Sequence, residues 1–136
     1  MDWGFGQLLA DTGLTPIANQ LFEAALLAIS MSLSRQAGAL PSAASKFGGR
    51  ADLPADFNWP SNKGRLLDFL LQINLADVHP FESQQLLPAT GLLTFFYDLN
   101  DQPWGFDPAE LEGFRVIYTP NCDDLRSHDT RSKLPI

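Results

Sequence analysis

Cysteine is almost absent from this chain: Cys122 is the only one in 136 residues, so no disulfide can close within it and no thiolate-rich metal site can form. Histidine is nearly as scarce. Neither His79 nor His128 stands at a recognised motif spacing from a serine, a cysteine or a carboxylate, and the sequence names no catalytic residue, no metal ligand set and no cofactor fingerprint. Positive charge is also short, with nine Lys and Arg against sixteen Asp and Glu and a formal net charge of −7. No basic residue precedes Arg35, which argues against a secretory or transit leader, and none lies between Arg65 and Arg115. A chain so poor in cations repels nucleic acid and anionic membrane surfaces alike. The longest apolar run, Ala24 to Ile29, falls far short of the ~20 residues that span a bilayer. These absences lead to the expectation of a cytoplasmic protein with neither nucleic acid nor membrane as partner.

What remains is globular in composition, 45% apolar and 18% charged, and is read as a single domain over 1–136. Leu14, Ile17, Ala18, Leu21, Phe22 and Ala25 recur at helical spacing, which predicts an amphipathic helix over about 16–27, with Thr15 as its cap and Pro16 in its first turn. Alternation of Ile29, Met31 and Leu33 with serines predicts a strand immediately after it. The Gly/Pro/Ser-rich stretch from Arg35 to Gly64 reads as a long irregular loop, unusually long unless it hides a short strand. Three further strands are expected at about 66–75, 91–99 and 113–119. In the first of these, Phe69, Leu71, Ile73 and Leu75 are assigned to one face. The polar tail 121–136 is expected to fray. The fold class is therefore α+β: a mainly antiparallel sheet, an N-terminal amphipathic helix and a long irregular loop.

Four stretches in order, SKFGGRADLPADFNWP (45–60), FLLQINLADV (69–78), LPATGLLTFFYD (87–98) and WGFDP followed by FRVIYTP (104–120), resemble the YwqG-like family of bacterial domains of unknown function. The resemblance covers about 29–120. It implies an antiparallel α+β fold and no established activity, cofactor or catalytic residue. Members of that family are roughly twice as long, with a second half that repeats the strand motifs. Two expectations follow: a truncated product, or a half-length chain that pairs with a second copy of itself, the latter being favoured because closed two-fold dimers are common.

Residues that stand out are candidates for ligand or partner contact. Gln72 sits inside an apolar strand, where its amide needs partners; a structural bond to the neighbouring loop is the simpler account. Lys46, Gly48 and Gly49 could cradle an anion, although no P-loop spacing is present. Trp59 and Trp104 lie beside turn residues and could line a pocket or plug a sheet end. Asp98 and Asp107 lack the spacing of a calcium loop. Cys122 lies beside Asp123 and Asp124, which should raise rather than lower its pKa. The leading functional expectation is a non-enzymatic protein-binding module, self-pairing or immunity-like. The alternative is a ligand or enzymatic pocket where Lys46, Gln72, Asp98 and Asp107 meet.

Overall fold

The structure, a computed structural model, describes residues 3–24 and 28–128. The chain divides into two compact units, 1–30 and 31–136. In the first, α1 (Trp3–Asp11) is followed by a 3-10 turn at Thr15–Ile17 and α2 (Ala18–Ala24). The rings of Phe5 and Phe22 meet edge to face at 5.0 Å, and Leu9 is buried. The expected helix thus opens as a 3-10 turn preceded by Leu14, with no side-chain cap from Thr15; its residues 25–27 lie outside the described residues. Helix α1 was not expected because Gly4 and Gly6 are poor helix formers.

The second unit holds eight described strands. A four-stranded antiparallel sheet runs in the order β1 (Lys46–Phe47), β5 (Asp68–Asn74), β6 (Leu92–Tyr97), β7 (Phe114–Thr119). Beside it, β2 (Ala51–Leu53) pairs with β8 (Arg126–His128), and β3 (Ser61–Asn62) with β4 (Arg65–Leu66). The last pair is a hairpin turned by Lys63 and Gly64, both at positive φ, the geometry that matches strand twist in a two-residue loop. A short helix, α3 (Leu75–Val78), follows β5, capped by the Asn74 side chain, which accepts from the Ala76 N–H at 3.0 Å.

Three expectations need correction. No strand forms at 29–33, and Met31 and Leu33 are exposed: alternation alone cannot make a strand without a neighbour to pair with. The stretch 35–64 contains β1, β2 and β3, too short and too rich in glycine and proline to show a period. A bulge between Phe69 and Leu71 in β5 adds one residue, so Phe69 faces the core together with Gln72, while Leu71 and Ile73 take the opposite face. In addition, β8 places 126–128 in a sheet, within the tail expected to fray; residues 129–136 lie outside the described residues.

The core forms where Ala51 and Leu53 of β2 meet Leu67, Phe69 and Phe96, with Phe57, Trp59 and Ile117 packed against them. Gly91, which opens β6 at φ 106°, is required there because a Cβ would run into the Tyr118 ring and stand 2.9 Å from the Thr119 carbonyl oxygen. Gly91→Ala is expected to cost about 2 kcal/mol or more through that overlap and the backbone strain, read as a lower urea midpoint at unchanged slope.

Candidate functional site

Three polar groupings occupy the positions that the sequence singled out. The first is centred on Asp52, buried in β2. Its Oδ2 accepts from the Ala43 N–H (3.0 Å), from Lys46 Nζ (2.7 Å) and from Gln72 Nε2 (2.8 Å). Gln72 completes the arrangement by donating to the Ala44 carbonyl at 2.8 Å and accepting from the Asp52 N–H at 2.9 Å. Its amide is therefore fully occupied in joining β5 to β2 and to the segment before β1. Next to it Ser45 donates to Asp77 (2.8 Å) and accepts from the Asn74 N–H (2.9 Å), tying the same segment to the end of β5.

The second grouping surrounds Asp98, at the end of β6. Asn62 and Arg65 of the hairpin each donate to its Oδ2 at 3.1 Å, while its Oδ1 receives the backbone N–H groups of Asn100 and Asp101 at 3.0 Å each. Arg65 also reaches Asp101 at 2.6 Å. The Asp101 N–H bond, followed by Asn62, the Asn100 N–H and Arg65, holds the Asp98 carboxyl at about 2, against the opposing effect of burial. Because the folded-state value lies below the ordinary 3.8, the stabilisation from Asp98 is complete above that value and is lost as pH falls toward 2. Thermal melts from pH 6 to pH 2 should show that loss, and Asp98→Asn should flatten it while lowering stability at pH 6.

The third lies in the connection from β6 to β7. Asp107 caps the 3-10 turn Pro108–Gly113 by accepting from the Ala109 N–H at 2.9 Å, and Glu110 accepts from the Gly105 N–H at 3.0 Å. The Tyr97 hydroxyl donates to the Pro103 carbonyl at 2.8 Å. These bonds shape a loop whose tip carries Trp104, 85% exposed, and Phe106, 88% exposed. Beside them β7 ends the described sheet, and its Phe114, Val116 and Tyr118 are exposed on one face.

Lys46 and Gln72 are thus brought together on one carboxylate, whereas Asp98 and Asp107 are engaged in two other networks. The four do not build the single pocket that the alternative reading needed. Trp59 donates its ring N–H to the Leu67 carbonyl at 2.6 Å and packs edge to face on Phe57 and Phe96, so it plugs the core, unlike Trp104. Gly48 and Gly49 hold left-handed conformations, and the Gly48 N–H is committed to the Leu70 carbonyl at 2.8 Å. Burial, and secondarily Asp123, raises the Cys122 thiol pKa, opposite to what a nucleophile needs. Asp52 is the member of these groupings that no local pattern distinguishes: an aspartate in a three-residue strand acquires its role only from its neighbours.

Among the described residues, no group of three or more His, Cys, Asp and Glu is placed to hold a metal, and no helix is long and apolar enough to cross a membrane. No curated protein matches the chain. A family model described as Domain of unknown function (DUF1963) matches residues 45–134, a span that runs from the Asp52 network through the exposed β7 edge to the β8 strand, and the chain belongs to that family.

Proposed function

We propose that this chain is a non-enzymatic protein-interaction module that docks a basic partner on the Trp104–Phe106 tip and the adjoining β7 edge. The observation that carries this reading is the near-complete exposure of two aromatic rings on a loop braced by its own hydrogen bonds. Tryptophan and other aromatics are typical anchors of interfaces, and a braced loop loses little entropy on binding. An edge strand with Phe114, Val116 and Tyr118 on one face is suited to receive an added extended segment.

Charge selects the kind of partner. From Asp98 to Thr119 the chain carries five carboxylates and a single arginine, Arg115. A second copy would set these carboxylates against each other, so a basic partner is favoured over self-pairing. Neutralisation of a basic protein in the cytoplasm, an immunity-like role, is one form of this activity. The test is a labelled extended peptide of roughly ten residues alternating Lys and Val, against a Glu/Val counterpart. Binding of the Lys peptide alone, weakening as salt rises, is the expected result. Equal binding of both peptides, or a stable dimer that occludes Trp104, would overturn it.

A further inference from the structure

Four of the described cations are neutralised: Lys46 by Asp52, Lys63 by Asp101, Arg65 by Asp98 and Asp101, and Arg115 by Glu112. Arg35, Arg50 and Arg126 have no carboxylate partner among the described residues. In a chain of net charge −7, three arginines left without a carboxylate are unexpected, since acidic groups to pair with them are plentiful.

Two of the three line adjoining clefts. One, of about 530 Å³, has Arg35 on its wall with Ser32, Ser34 and Ser45; the other, of about 630 Å³, has Arg50 with Ser42, Ser127 and Leu125. The clefts share Gly38, Leu40, Lys46 and Phe47, which makes them one groove with an arginine in the wall of each part. The lining also holds the Lys46–Asp52 pair, Asp52 on the wall of the second cleft, and beside it are apolar side chains: Leu33, 77% exposed, in the first cleft, and Phe47, 58% exposed, and Leu40, shared by both, which nothing in the described unit covers fully.

We propose that this groove binds a small organic oxyanion, a phosphate or carboxylate carried on an apolar body. Guanidinium groups supply the charge and the forked donors that oxyanions take, and the hydroxyls of Ser32, Ser34, Ser42 and Ser127 add neutral donors, that of Ser45 being engaged with Asp77. Leu33, Leu40 and Phe47 receive the body of the ligand, as apolar linings do in small-molecule sites with a few convergent polar groups. Lys46 is not the source of the charge, because Asp52 cancels it at 2.7 Å; it contributes the ammonium N–H groups that Asp52 leaves over. The groove shares no residue with the Trp104 tip or β7, so either site can fail without the other.

The test is titration of the isotope-labelled full chain with phenyl phosphate, benzoate and inorganic phosphate, followed by amide NMR shifts. Phenyl phosphate is expected to saturate, moving the Gly48, Gly49 and Arg50 amides, and the Arg35→Gln/Arg50→Gln variant is expected to weaken it by about tenfold or more. Benzoate binding more tightly than phenyl phosphate assigns the oxyanion to carboxylates, much weaker benzoate binding assigns it to phosphates, and equal binding means that the groove takes either; all three support the site. Three results would overturn it: saturation by neither organic anion, affinity unchanged in the double variant, or inorganic phosphate binding as tightly as phenyl phosphate. Both substituted positions are exposed, so a melt matching that of the unaltered chain separates lost binding from lost folding.

Discussion

Gln72→Leu is expected to destabilise the second unit by about 3–5 kcal/mol and to lower its melting temperature by roughly 10–20 °C. Leucine fills nearly the same volume, so the loss is not one of packing. What disappears is the acceptor for the Asp52 N–H, the donor to the Ala44 carbonyl and one of three donors to Asp52 Oδ2. Gln72 is 1% and Asp52 5% exposed, so water cannot replace the bonds without opening the structure. Each buried polar group left unpaired costs ~1–3 kcal/mol. Lys46→Met should cost a comparable amount, because it leaves the buried Asp52 carboxylate without its counterion. Urea unfolding measures both. A change below ~0.5 kcal/mol for Gln72→Leu would show that the amide does not brace β5 against β2, and would reopen a role in ligand contact.

Trp104→Ala combined with Phe106→Ala is expected to have the opposite profile: stability within ~0.5 kcal/mol of the unaltered chain, and partner affinity reduced by about 2–4 kcal/mol, roughly thirty- to a thousandfold. Neither ring is buried, so truncation leaves no cavity. Aromatic side chains at the centre of an interface carry much of its binding energy. Trp59→Ala is the internal control, because the same chemical change in the core should cost about 3–5 kcal/mol of stability. Calorimetric unfolding of the two variants, together with binding of the Lys/Val peptide, separates the two tryptophans. If Trp104→Ala/Phe106→Ala binds the peptide as the unaltered chain does, the loop tip is not the docking surface.

Much of this architecture was legible along the chain. Strands β5, β6 and β7 fall within two residues of where alternation and β-branched or aromatic content placed them, because each has six or seven residues over which a period can show. The demand of Gln72 for partners was also legible, since an amide inside an apolar run must be satisfied. Its partners were not. Asp52 lies twenty positions away in sequence, and Ala44 twenty-eight, and only the pairing of β1 with β5 brings that segment alongside.

The sequence by itself determined the α+β class, the acidic balance, the scarcity of groups for metal or thiol chemistry and the three long strands, because these depend on composition and on periods within a few residues. Only the tertiary structure decided which polar residues act together. It joined Lys46 and Gln72 through an aspartate that no local pattern distinguished, set Asp98 and Asp107 in networks of their own, buried Trp59 and left Trp104 exposed. The bulge at Leu70 reversed the facing of Phe69 relative to Leu71 by adding one residue, an event that a period of two cannot foresee. Hydrogen bonds and ion pairs between distant segments depend on where the backbone returns, and that is settled by packing around Phe69 and Phe96.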